Sequence, residues 1–250
     1  MSRQLELMAL RERRFGELVE RISQKSRKFR SPRIIVIGGY ALRAYVPFTR
    51  YSRDCDFALS KGRAWSIDRI AKWLPGLSVE AKQHLGTYGF LRLIQLISAG
   101  KLRLKISLDF MEGEVRGRSE EGLRIDRTFV ADSLQVMIQI GERPISISVP
   151  SYQDYFLLKL FSGRPSDIRD IAALVWKRGT PDDASFFARA SETLSRPAAL
   201  AENLGTVIAD VADPRFLDSW RGTFITEEFT EADKRRVAGE LKRLQAALTR

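Results

Sequence analysis

The chain is 250 residues long, 44% hydrophobic and 29% charged, with a formal net charge of +11. Those proportions describe a globular chain able to bury a sizeable core, as one large domain or two small ones. The one cysteine, Cys55, excludes an internal disulfide and any Cys-rich zinc or iron–sulfur site, and the one histidine, His84, excludes multi-histidine metal sites. No apolar run approaches the length of a bilayer span, and the opening MSRQLELMALRERRF lacks the apolar core of a signal peptide. The expectation is a cytosolic (cytoplasmic) protein with no membrane partner.

The charge is uneven. Residues 1–33 carry ten Arg/Lys against four Glu, whereas residues 180–250 carry ten against twelve acids. A basic front and middle suit an anionic partner, nucleic acid or polyphosphate; the plainer alternative is arginine used for solubility.

Along the chain, residues 4–28 are predicted to form an amphipathic helix, with Leu5, Met8, Phe15, Leu18 and Ile22 near helical spacing. RIIVI (33–37) reads as a buried strand, Gly38 and Gly39 as a turn, and YALRAY as a short helix ending before Pro47. CDFAL is the next strand, followed by the helix SIDRIAKWL with Ser66 as its cap. FLRLIQLI and KLRLKISLDF straddle SAGK (98–101), a hairpin signal, and IDRTFV, LQVMIQI and PISISV follow at strand length. Helices are predicted near 152–162, 166–177, 184–194, 198–210 and 231–248, the last capped by Thr230. The expected fold class is α+β, a mixed sheet with flanking helices in residues 1–150 and a helical domain in residues 151–250 that completes the cleft. His84 is expected on a surface loop, and Cys55 in the core.

Two carboxylates stand out on the strand after the glycine turn. Side chains alternate faces, so Asp54 and Asp56 point one way while Cys55 and Phe57 enter the apolar layer. In KLRLKISLDF, Leu102, Leu104, Ile106 and Leu108 form one face; Arg103, Lys105, Ser107 and Asp109 form the other. If the two strands are neighbours, three aspartates converge, a hard oxygen-only donor set suited to Mg2+ or Mn2+. The glycine pair lets backbone amides approach a phosphate chain. Either a GG pair or a D-x-D is weak alone, but their order (strand, GG, short helix, R-x-S-x-D-x-D, then a strand with a third Asp) is far more specific.

This order resembles the nucleotidyltransferase superfamily typified by DNA polymerase beta, in which Ser often stands where Gly39 does. The resemblance implies that Asp54 and Asp56 hold divalent ions, one bridging the triphosphate of an NTP substrate, and that Asp109 assists the second ion and activates the acceptor hydroxyl. SYQDYFLLKLFSGRPSDIRDIAALV is further similar to the later motifs of the AbiEii nucleotidyltransferase toxins, the group that includes the MenT toxins: a lysine on a helix, a basic turn, and D-x-x-D on the next helix. Lys159, Arg164, Asp167 and Asp170 match, as do Arg50 and Ser52 upstream; Ser166 departs from the Arg often found before D-x-x-D, and Arg169 lies inside the motif. The resemblance spans about residues 33–178. It implies nucleotide contacts from Gly38, Gly39, Arg50, Ser52, Lys159 and Arg164, catalytic roles for Lys159 and Asp167 beside the three aspartates, the 3′ end of tRNA as the RNA acceptor, and a cognate antitoxin in a toxin–antitoxin or phage-defence system.

Read from the residues alone, Asp167 and Asp170 share one face near a helix amino end and fit capping acids equally well. Lys159 lies in the apolar FLLKLF, where an ammonium must snorkel or meet an anion. Two other classes share the aspartates: a small-molecule (antibiotic-type) nucleotidyltransferase, which needs an acidic pocket for a cationic acceptor, and a non-catalytic nucleotide- or RNA-binding module, which would have to tolerate their mutual repulsion.

Overall fold

The computed structural model of the protein describes residues 3–48, 50–100, 102–117 and 122–248. Lys101 of the expected hairpin turn and the side chain of Leu102 lie outside them. The chain divides into two compact units. The first comprises residues 1–44, 51–115 and 125–151; the second comprises 45–50, 116–124 and 152–250.

The first unit opens with α1 (Arg3–Lys25). Phe15, Leu18, Val19 and Ile22 recur at helical spacing and are buried, so this face anchors the helix. Its polar side is tied as well. The buried Glu12 carboxylate accepts from Tyr40 Oη at 2.9 Å, from Arg43 Nη2 at 2.9 Å and from the Gly141 backbone N–H at 3.2 Å. A buried carboxylate with this many donors is compensated for leaving water.

The sheet runs β1 (Ile34–Val36), β2 (Asp54–Leu59), β5 (Leu102–Glu112), β4 (Tyr88–Ala99), β3 (Ser78–Leu85) in spatial order. β1 is antiparallel to β2, β2 parallel to β5, and β5–β4–β3 antiparallel. Period-2 alternation holds on β2 and β5: Cys55, Phe57, Leu104, Ile106, Leu108 and Phe110 are buried, and Phe57 stacks on Phe110 at 4.7 Å. A 3₁₀ turn (Ala41–Ala44) follows the glycine pair. A second hairpin, β8 (Leu134–Ile140) with β9 (Arg143–Val149), completes this unit's strands alongside β6 (Glu114–Arg116), whose last residue belongs to the second unit.

Several expectations are corrected. Ser66 does not cap its helix; α2 (Ser66–Trp73) has Trp65 at the cap position without a side-chain bond. Its free amides are met from β5, where the fully buried Glu112 carboxylate accepts from Ser66 N and Ile67 N, both at 3.1 Å. IDRTFV is not a strand: Asp126 accepts from Phe129 N and caps the one-turn α3 (Arg127–Ala131), a local bond that outweighs the β-forming run. His84 lies on β3 rather than in a loop, stacked on Trp65 at 4.8 Å. β3 itself was not foreseen.

The second unit contains β7 (Gly122–Arg124) and helices α4 (Tyr152–Ser162), α5 (Pro165–Arg178), α6 (Asp183–Thr193), α7 (Ala199–Ala212), α8 (Phe216–Phe224) and α9 (Glu231–Ala247). Except for the unforeseen α8, the helices match the predicted segments. α9 starts with a capping box between Thr230 and Asp233. α4 is buried on nearly every side, with Tyr155, Phe156, Leu157 and Leu160 fully buried and Asp154 and Lys159 ion-paired. An aromatic cluster ties the short segment 45–50 into this unit: Phe48 lies 5.0–5.6 Å from Trp176, Trp220 and Phe224. Edge-to-face and tilted contacts of this kind add about 0.5–1.5 kcal/mol each beyond area burial.

Candidate active site

The first unit carries the paired carboxylates. Asp54 and Asp56 open β2 on its polar face, and the parallel register sets Asp56 opposite Asp109 and Asp54 opposite Ser107 on β5. The three aspartates therefore share one sheet face, as the alternation predicts. Their carboxylates are held differently. Asp54 Oδ1 accepts from Ser52 Oγ at 3.1 Å. Asp109, nearly buried, accepts from Arg92 Nε at 2.8 Å, from Arg92 Nη2 at 2.5 Å and from Ser107 Oγ at 3.2 Å.

Gly38 explains the glycine turn. A Cβ built there would lie 2.1 Å from Asp56 Oδ2 and 2.9 Å from its Cγ. The Asp56 carboxylate thus packs directly on the Gly38 backbone, and any side chain would displace it. The amide of Ile37 bonds the Asp56 carbonyl at 2.9 Å and locks the turn to β2. On the opposite face the Cys55 thiol is pushed well up by burial, reinforced by the charges of Asp56 and then Asp54. It is an inert core residue, as expected.

As donors, the aspartates are oxygen-only and fit a hard divalent ion. Among the described residues no group of three His, Cys, Asp or Glu side chains converges closely enough to hold a metal. Asp54 and Asp56 lie on one strand face, and Asp109 opposite Asp56 is held by Arg92. Arg92 escaped the sequence reading; the antiparallel register of β4 and β5 sets it opposite Asp109.

The second unit carries the other predicted cluster, in which Arg50, Lys159, Asp167 and Asp170 pair with one another. Arg50 donates to Asp170 through Nε at 2.6 Å and Nη2 at 2.8 Å. Lys159 Nζ lies 2.8 Å from both Asp167 Oδ1 and Asp170 Oδ2. Lys159 is 5% exposed and Asp170 fully buried. Burial alone would lower Lys159, but Asp170, then Tyr155 and Asp167, outweigh it and hold the ammonium charged. Burial would raise Asp170; Lys159 and Arg50 reverse this and pull it below the usual carboxylate range. Neither aspartate serves as a helix cap, since Arg164 occupies the cap position of α5 without a side-chain bond and is itself exposed. One atom is left over: Asp167 Oδ2 is buried with no hydrogen-bond partner.

A glycine turn packed on the second of two strand carboxylates, with a third carboxylate on the adjoining parallel strand, is the arrangement on which the resemblance to nucleotidyltransferases rests. The model of the family described as nucleotidyl transferase AbiEii toxin, type IV TA system, matches residues 22–248, and the chain belongs to that family. No curated relative matches it. Among solved structures, the chain is similar to a candidate nucleotidyltransferase from Helicobacter pylori at 14% identity, covering 100% of this chain and 95% of that one, with a TM-score of 0.45. It is also similar to JHP933 from Helicobacter pylori at 14% identity, covering 98% and 92%, with a TM-score of 0.46. Among the described residues no helix is long and apolar enough to cross a membrane.

Proposed function

We propose that this nucleotidyltransferase moves a nucleoside monophosphate from an NTP to the 3′-hydroxyl of RNA, with tRNA as the acceptor, and that Asp54 and Asp56 hold Mg2+ or Mn2+ for the reaction. The observation that carries this reading is the Gly38–Asp56 packing beside Asp54, with Asp109 opposite in register. The acceptor oxygen attacks the α-phosphorus, the bond to the β-phosphate oxygen breaks, pyrophosphate leaves, and the hydroxyl proton passes to Asp109. Divalent ions supply charge stabilisation to the attacking and leaving oxygens. The chain's own part is positioning: Gly38 and Gly39 admit the triphosphate, Gly38 aims the Asp56 carboxylate, and Ser52 orients Asp54. Such placement supplies most of the catalysis in phosphoryl-type transfer.

Lys159 and Asp167 are assigned to the same reaction. Arg50 and Lys159 act by holding the Asp167 and Asp170 carboxylates in place. Membership of a type IV toxin–antitoxin family implies an antitoxin partner. Blocking the 3′ end of tRNA is the route to growth arrest that this reading supplies. A cationic small-molecule acceptor fits less well, because Arg11, Arg53 and Arg92 surround the cavity at Asp54.

Incubation with total RNA, magnesium and each α-labelled triphosphate tests the reading. Label in a tRNA-sized band is expected. Label only in small molecules, or none, would contradict it.

A further inference from the structure

A cavity of about 610 Å³ opens beside Asp54 in the first unit, a size typical of ligand sites. Four cations line it, and two of them are engaged: Arg92 by Asp109, and Lys105 by Glu80 at 2.5 Å. Arg11 and Arg53 have no carboxylate partner among the described residues, and Arg11 Nε is buried without an acceptor. Burial, and then the neighbouring Arg53, lower the Arg11 guanidinium and outweigh the opposing pull of Tyr40, Asp54 and Glu12. Leu7 and Met8 of α1 and Leu104 of β5 supply an apolar wall.

The strand order decides which phosphate belongs here. The glycine turn leaves β1 on one side of β2; the cavity runs from Arg53 and Asp54 at the start of β2 to β5, β4 and α1 on the other side. A triphosphate admitted by Gly38 and Gly39 therefore leaves this cavity to the second substrate. Arg11, Met8 and Leu7 also lie outside the residues that the family model matches, so this wall is supplied by the part of α1 preceding them.

We propose that the cavity is the acceptor-strand site: Arg11 and Arg53 hold a phosphodiester next to the 3′-terminal nucleotide of a single-stranded RNA end, and Leu7 and Met8 pack against its base. The proposal rests on the RNA-transfer reading above and adds to it which residues receive the strand. Guanidinium contacts to the backbone with apolar packing of the base form the usual economy of single-strand binding.

The test is fluorescence anisotropy of a labelled single-stranded RNA with a free 3′-hydroxyl, in magnesium without NTP, across a salt series. It compares wild type with Arg11→Ala/Arg53→Ala and with Arg11→Lys/Arg53→Lys, alongside binding of a fluorescent NTP. The alanine pair is expected to weaken RNA binding at least tenfold and to flatten the log–log salt slope by roughly 1.4, two contacts at about 0.7 each. The lysine pair should restore most of the slope, and NTP binding should be unchanged. Unchanged RNA affinity and slope, no RNA binding by wild type, or a loss of NTP affinity in place of RNA affinity would each overturn the proposal. RNA binding that follows the expected pattern without label transfer would leave this site standing and remove the transfer reading.

Discussion

Arg92 on β4 grips Asp109 on β5 with two hydrogen bonds, at 2.8 and 2.5 Å, so the third aspartate of the site faces a guanidinium where a divalent ion would compete. Asp109 is nearly buried, and an ion bound to its oxygens would sit against the Arg92 guanidinium. Arg92→Ala should lower the magnesium concentration that half-saturates transfer by several-fold. A fall in kcat with an unchanged magnesium requirement would place Arg92 on substrate instead.

Gly38 has no room for a methyl group, since the Cβ would overlap the Asp56 carboxylate. Gly38→Ala should reduce kcat/KM by about 10²-fold or more, the scale expected of a misplacement near 1 Å. The unfolding temperature should change little, because the displaced group is a half-buried carboxylate rather than the core. An alanine variant with normal activity would show that Asp56 is not held by this packing.

In the second unit, Lys159→Met leaves Asp167 and Asp170 buried with Arg50 alone. Breaking a buried pair in this way costs about 3–5 kcal/mol, readable in urea titrations. Adding Asp167→Asn removes one orphaned charge and should recover part of that stability. Activity should remain lost in the double variant if Lys159 and Asp167 serve the reaction; recovered activity would make the cluster purely structural.

Asp170 is depressed in the folded state, so its stabilisation is present above the ordinary carboxylate range, near pH 4, and is lost as pH falls through its lower folded value. Lys159 is raised, so its contribution is complete below the ordinary lysine value, about 10.4, and is lost only as pH rises through the higher folded value. Unfolding free energy should therefore fall below about pH 4 more steeply in wild type than in Asp170→Asn. Parallel curves would contradict the pairing.

Glu112→Ala removes the cap of α2 and should cost about 2 kcal/mol, with Glu112→Gln losing roughly half as much. Equal stability of the three proteins in thermal melts would show that the amides of Ser66 and Ile67 are satisfied in another way.

What was legible in the sequence follows from how local its cause is. Alternation in KLRLKISLDF gave the polar face of β5, whereas Arg92 is named only by the pairing register of β4 with β5. The Thr230 capping box marked the start of α9. β3 stayed hidden because SVEAKQHL is exposed at almost every position, leaving no alternation to detect. IDRTFV misled because Thr, Phe and Val favour strands, while one bond from Asp126 decides for helix. Glu112 is out of reach of local patterns, since it caps a helix 45 residues away. The apolar setting of Lys159 announced a buried cation needing an anion, but only the packing of α4 on α5 shows that Asp167 and Asp170 supply it.

The central claim is that the Asp54–Asp56 pair binds the metal that drives nucleotidyl transfer. Label transfer from each α-labelled triphosphate to RNA, compared between wild type and Asp56→Asn at matched fold stability, tests it most directly. The account predicts that transfer falls by at least about 10³-fold, since removing an electrostatic stabiliser of the transition state costs on that order. Transfer by Asp56→Asn at the wild-type rate would contradict it.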